Sequence, residues 1–497
     1  MQQYLLLAPV LLPLLGGLPV FKMNERIPRR RYVTVLLALE VPALLAVDWS
    51  GSAVLPVLQL WGGARVVLGA DALGRLFALL VAVLWLIVSV FADEYMTHEH
   101  NQARFFGFYV TSLGSLIGIC LAGNLVTLYL FYEMMTLLTV FLVIHAGNNK
   151  AIDAGLKYLG FSVCGAALGL LGMFYLQQFQ TTDLFAAGGT LDAAAAAANA
   201  GGLRVALLLM LLGFGAKAGV MPLFAWLPTA HPVAPSPASA VLSGLITKMG
   251  VLAMIRVIYF QFGGAFLADS WVQTVMLCLA IFTVFMGSML AYKEKTLKKR
   301  LAYSTVSQVS YILFGILLVS PEGFYGGLLQ LIFHAIAKNG LFMAAGGIIY
   351  HLYKTRVNQL QGAGLKLPYI MWCFALYSLS LIGIPPTAGF VSKWYLAQGG
   401  LGFGVLGLVG TAVLMVSALL TAGYLLPIVT DAFFPGEDFH TERLHEPQKQ
   451  HLNWHMRGPM MCCPCLWCCW VSSPMHWISS LSPLWLCCFL EGGRMIC

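Results

Sequence analysis

Runs of about 20 apolar residues, the length needed to cross the hydrocarbon core of a bilayer, follow one another along almost the whole chain. About fourteen such runs can be counted between residues 4 and 490. In lipid the backbone must satisfy its own hydrogen bonds, and a continuous apolar run does so as a helix. Only 10% of residues are charged and 59% are hydrophobic, whereas soluble domains carry about a quarter charged residues. The expected fold class is therefore an all-α polytopic membrane protein of about 14 transmembrane helices. The opening stretch Tyr4–Val20 is followed, not preceded, by basic residues and lacks a small-residue cleavage site. It reads as a retained span rather than a signal peptide.

The net charge of +8 is explained by its placement. With the N-terminus outside, the odd-numbered connections fall in the cytoplasm. They hold Lys22, Arg26, Arg29, Arg30 and Arg31, then Lys293, Lys295, Lys298, Lys299 and Arg300, then Lys354, Arg356 and Lys366. The external connections hold little more than Arg65 and Arg204. This positive-inside bias makes the basic clusters topology signals and argues against a nucleic-acid partner. The bilayer of a cell (inner or plasma) membrane is the expected surroundings.

No soluble domain is expected. Thr181–Gly202 contains LDAAAAAANAGG and reads as an external low-complexity linker. Asp431–Arg457 holds His440, His445, His451 and His455 at irregular spacing, a solvated cytoplasmic loop rather than a metal site. Cys120, Cys164, Cys278 and Cys373 lie in apolar runs and read as small core residues. With no haem-ligand His pairs and no Cys framework in the membrane body, neither cofactor nor metal is expected. Any oxidoreductase activity would then belong to a larger assembly.

Against this apolar background four lysines stand out: Lys217, Lys248, Lys338 and Lys393. A charge at the bilayer centre costs roughly 2.5–3.5 kcal/mol on insertion scales, so such a residue implies a partner or a use. Two of them flank interruptions, GFGAKAGVMPLFAWLP (Gly213–Pro228) and LIGIPPTAGFVSKWYL (Leu381–Leu396). Proline removes a helical hydrogen bond, and the freed carbonyls need protein or a water-lined cavity. One such site would read as an ordinary kink. Two, each with a lysine nearby, favour paired discontinuous helices on a transport path. They fall in the seventh and twelfth spans, five apart and hence antiparallel, as in an inverted five-helix repeat.

Glu133 is the only acid in its span, NLVTLYLFYEMMTLLTVFLVIHAG, and Lys217 is its natural partner. A static pair holding two helices is the bland alternative, although buried pairs are weak evidence for stability. Lys248 follows HPVAPSPASA, whose His231 could shuttle protons, cap or simply pack. His334 and Lys338 are four apart and share a helix face, with Asn339 beside them. Ser304, Thr305, Ser307 and Gln308 form a polar flank suited to holding water or to joining helices. Lysine suits a proton path because it gives up its proton when buried, whereas arginine effectively never does.

The stretches LFYEMMTL around Glu133, GFGAKAG around Lys217, LKKRLAYSTVSQVSY at Leu297–Tyr311, FHAIAKNGLF at Phe333–Phe342 and GIPPTAGFVSKW at Gly383–Trp394 resemble the proton-translocating antiporter-like subunit family. That family comprises membrane-arm subunits of NADH:quinone oxidoreductase (complex I), Mrp-type Na+/H+ antiporters, and membrane subunits of energy-converting hydrogenases and formate hydrogenlyases. The resemblance covers roughly residues 60–430. It implies fourteen helices, two inverted five-helix repeats and broken seventh and twelfth helices. It also implies a proton relay in which Glu133 is the modulating acid and Lys217 its paired lysine. Lys248 would be the connecting lysine, His334 and Lys338 the central relay, and Lys393 the terminal charge. The implied division is residues 1–103 (helices 1–3), 104–260 (first repeat), 261–430 (second repeat) and 431–497 (loop and atypical end). The implied partners are other membrane subunits, with H+ and, in the antiporter form, Na+ as the ions moved. A hydrogenase-type subunit and a scaffold with static ion pairs are the alternatives.

Met461–Cys497 departs from that pattern. Cys462, Cys463, Cys465, Cys468 and Cys469 fit no standard metal spacing, and the segment is rich in Trp, Pro and Ser. A frameshifted or otherwise aberrant terminus, with the true last helix lost, is the hypothesis; if no other frame of the coding DNA yields a smoother apolar helix, it fails.

Overall fold

The structure, a computed structural model, describes residues 2–50, 53–436, 453–471, 490–491 and 494–495. His440, His445 and His451 lie outside the described residues, as does most of the chain beyond 471. Helices dominate. In chain order they are α1 (Gln3–Lys22), α2 (Arg26–Leu45), α3 (Ala72–Tyr95), α4 (Gln102–Cys120), α5 (Leu125–Val143) and α6 (Asn149–Leu176). Next come the short α7 (Ala193–Ala198), α8 (Ala200–Ala218), α9 (Leu227–Val233) and α10 (Ser236–Phe262). They are followed by α11 (Trp271–Lys293), α12 (Leu297–Leu317), α13 (Pro321–Leu352), α14 (Pro368–Ile382), α15 (Ala388–Leu401), α16 (Val405–Phe433) and α17 (Trp454–Val471). Among the described residues, ten helices are long and apolar enough to cross a membrane. Side-chain caps begin several of them: Asp71, Asn124, Asn148, Ser270 and Ser320 each accept a backbone N–H three residues on.

The connections segregate to two faces, as alternating membrane crossings require. On the basic face Arg26 bonds Asp93 and Glu94, both at 2.8 Å, and the Leu297 N–H reaches the Thr355 carbonyl. On the opposite face a hairpin of β1 (Val54–Gln59) and β2 (Arg65–Gly69) bridges to Ala122, and Asn124 bridges to Leu184. An all-helical reading misses this hairpin, whose strands are too short to stand out beside the apolar spans. It also misreads LDAAAAAANAGG. That stretch holds α7, because alanine is the strongest helix former and the Asp192 carboxylate accepts from Ala194 and Ala195. Cys120 and Cys373 are buried as expected, but Cys164 and Cys278 are exposed on the outer surface. The start of the atypical end is helical: α17 packs on α3, α13 and α14.

Burial orders the helices. α10 is buried along its whole length, α13 and α12 nearly so, while α1, α6, α11 and α16 turn much of their surface outward. α10 and α13 pack directly together. Gly244 permits this approach, since a Cβ there would lie 2.1 Å from Asn339. Both expected breaks are present. α8 stops at Gly219 (φ 88°) and α14 at Gly383 (φ 85°), left-handed conformations that glycine adopts without steric cost. A third irregularity was not expected: α10 carries π-helical turns at Leu242–Ile246 and Arg256–Phe262, with Lys248 between them. Such turns free or redirect backbone carbonyls and recur at functional sites.

Candidate functional site

The first break places Lys217 in the last turn of α8, fully buried. Its Nζ donates to Tyr158 OH (2.8 Å), Ser162 Oγ (2.8 Å) and Thr136 Oγ1 (2.9 Å), which uses all three N–H groups of an ammonium. It also lies over the Tyr158 ring at 4.2 Å. The expected contact pair with Glu133 is not formed: among the described residues no ion pair joins them. The reason is helix phase. Tyr132, Thr136, Thr139 and Val140 form the buried face of α5, while Leu130, Leu137 and Phe141 face outward. Glu133 sits on the boundary, half-buried, with Oε1 lacking a partner among the described residues. The two groups still interact electrostatically.

Four more titratable groups converge where α9, α10, α12 and α13 meet. Lys248 Nζ donates to the Ser243 carbonyl (2.6 Å), which also accepts from Thr247 Oγ1 (2.9 Å), inside the first π turn. Lys338 Nζ donates to the Leu301 carbonyl at 3.0 Å. His334 shares the α13 face with Lys338, as the spacing predicts. His231 lies in α9, stacked on Phe342 at 4.9 Å. All four are buried and interact electrostatically: Lys248 with Lys338, and each histidine with both lysines. No ring nitrogen of His231 or His334 has a hydrogen-bond partner among the described residues. Buried polar groups without a partner are uncommon, and each calls for an account.

The second break holds Lys393, whose Nζ donates back to the Leu381 (2.8 Å) and Ile382 (2.7 Å) carbonyls. It thus caps the end of α14 and also lies over the Tyr311 ring at 5.2 Å. A hydrogen-bond chain crosses beneath it, from Ser392 Oγ to Gln330 (2.6 Å) and from Gln330 to Gln308 (2.7 Å). The rest of the α12 polar flank joins helices: Ser304 accepts from Tyr424, Thr305 meets Ser243, and Ser307 meets Ser288 and Ser417.

Two residues of this site, Lys298 and Glu99, escape a sequence reading. Lys298 belongs to a run that looks like a topology signal, yet it is buried and donates to the Ala234 carbonyl at 2.6 Å, in the gap between α9 and α10. With Glu99, Tyr95, Pro232 and Pro235 it lines a cavity of about 170 Å³ on the basic face. Burial raises the Glu99 carboxyl above the usual carboxylate range, against the pull of Lys298, His100 and His98. The available signal was helical phase: 298, 302 and 305 share one face, and Thr305 bonds Ser243 beside Lys248.

Residues 122–421 match the family described as NADH:quinone oxidoreductase/Mrp antiporter, TM. The chain is 34% identical to NADH-quinone oxidoreductase subunit N of Desulforudis audaxviator, over 76% of this chain and 74% of that protein. It is 28% identical to an Na(+)/H(+) antiporter subunit of Bacillus subtilis, over 88% of each. Among solved structures, a chain of the Mrp complex from Dietzia sp. DQ12-45-1b superposes with a TM-score of 0.83 at 23% identity, covering 96% of both chains.

Proposed function

Because this chain belongs to the NADH:quinone oxidoreductase/Mrp antiporter transmembrane family, we infer that it is the proton-translocating membrane subunit of a multisubunit complex. The observation that carries this reading is the cluster of His231, Lys248, His334 and Lys338, buried together without an acid in contact among the described residues. Two amines and two imidazoles confined in low dielectric cannot all hold charge at once. Adding a proton to one lowers the hold of the next, and this is the behaviour a relay needs. The column is built of nitrogen bases and hydroxyls, groups that hand on protons, which supports H+ as the ion carried along it. Exchange for Na+ would then be coupled from outside this column.

In this reading the Glu99–Lys298 cavity supplies protons from the cytoplasmic face to His231. Lys248, Lys338 and His334 form the central element, Glu133 and Lys217 set its charge state from one side, and Lys393 ends it on the other. Residues 104–260 and 261–430 would be two inverted five-helix repeats within fourteen helices. The support is the matching pair of breaks, each with a left-handed glycine and a lysine close by. The partners are the neighbouring membrane subunits, with the driving reaction or ion gradient outside this chain.

The test is driven proton flux in proteoliposomes holding the assembled complex. Lys248→Ala is expected to lower flux by roughly tenfold or more, about 1.4 kcal/mol on the barrier, at unchanged assembly. Unchanged flux in the assembled variant would overturn the reading. Glu99→Gln is expected to slow flux several-fold when uptake is from the cytoplasmic face, with assembly unaffected. Equal rates in wild type and variant would remove Glu99 from the path.

A further inference from the structure

Past Lys248, α10 continues toward the external face for eight residues, about 12 Å at 1.5 Å per residue, to a second buried cation. Arg256 is 1% exposed, in the second π turn. Its guanidinium meets the Asp71 carboxylate two-pronged, with Nη2 to Oδ1 at 2.7 Å and Nη1 to Oδ2. Asp71 is held in turn by the Gly74 N–H at 2.8 Å. The rings of Phe185 and Phe260 lie 5.0 and 4.7 Å from the guanidinium carbon. Beyond Arg256 the surroundings turn polar again. Gln261 bonds Gln180 and Thr190, and the loop N–H groups of Ala186, Gly188 and Thr190 take the Phe260, Tyr259 and Gln261 carbonyls of the π turn. One permanently charged side chain therefore stands between the buried column and a polar cluster beside the external loop.

We propose that Arg256, held by Asp71 beside Phe185 and Phe260, is an electrostatic seal that stops H+ and Na+ from leaking between the external face and the column. The proposal rests on the reading of that column as a proton path. Arginine suits the task because it keeps its charge in any protein environment, and a fixed positive charge in a narrow polar passage repels small cations. Asp71 acts as a positioning residue that orients the guanidinium through its two-pronged contact. A plain ion pair joining α3 to α10 would explain the contact, but not its place where α10 passes from the buried bases to the polar cluster.

The test measures proton influx into proteoliposomes under an imposed membrane potential, with no driving reaction running, for the assembled complex. Arg256→Gln is expected to raise this passive influx about tenfold, while Arg256→Lys, which keeps a cation, stays within about twofold of wild type. Arg256→Met fills a similar volume beside the two rings and should leak like the glutamine variant. If the neutral variants assemble and do not leak, or if the lysine variant leaks as much as they do, the seal is overturned. The underlying function fails separately, through a driven flux that does not depend on Lys248.

Discussion

Lys217→Ala is expected to abolish driven proton flux, by roughly a hundredfold or more, while the complex still assembles. The asymmetry follows from what surrounds the ammonium. Removing it leaves three hydroxyls, and an orphaned buried hydroxyl costs about 1–3 kcal/mol. Two of the three have other options: Tyr158 already meets Thr139 at 2.6 Å and Thr136 already reaches the Tyr132 carbonyl at 3.1 Å. The fold therefore loses little. In the proposed relay the column loses the setting of its charge state, because Lys217 is the cation that acts electrostatically on Glu133. Flux assays and native gels on the same preparation check both halves. Lost assembly with normal flux per assembled complex would make Lys217 a structural residue.

Lys393→Ala should do the opposite to stability. Its Nζ holds the Leu381 and Ile382 carbonyls where α14 ends, at a depth where an unsatisfied backbone group costs several kcal/mol. We expect a lower melting temperature for the purified complex together with loss of flux. Lys393→Arg should recover much of the melting temperature, since its guanidinium can still donate to both carbonyls, but not the flux, since it does not release a proton. Full recovery of both would reduce Lys393 to a helix cap.

The membrane fold and four of the site lysines were legible because a charge is conspicuous in an apolar run, and its cost demands an account. The two helix breaks were legible because Gly and Pro act through the backbone alone. What stayed hidden depended on distance and phase. Thr136, Tyr158 and Ser162 are common in membrane helices, and nothing in the sequence says that they surround Lys217. Glu133 and Lys217 look like a contact pair until helix phase puts Glu133 at the edge of the buried face of α5. Lys298 was masked by Lys299 and Arg300, with which it shares a topology signal, although only Lys298 is buried. Arg256 is inconspicuous in the sequence because it stands near the end of its span, where snorkelling to the interface is the usual fate of a basic residue. The π turns of α10 leave no sequence mark.

The claim that the buried bases carry protons, and do not merely brace helices, is tested most directly at Lys338. Its only hydrogen bond among the described residues is to the Leu301 carbonyl, which an arginine can also make. Lys338→Arg keeps the positive charge and a donor but removes the ability to release a proton. The measurement is driven proton flux in proteoliposomes at matched assembly, wild type against Lys338→Arg. The relay predicts flux at the background level in the arginine variant; flux near wild type would show that a static charge suffices and would contradict the account.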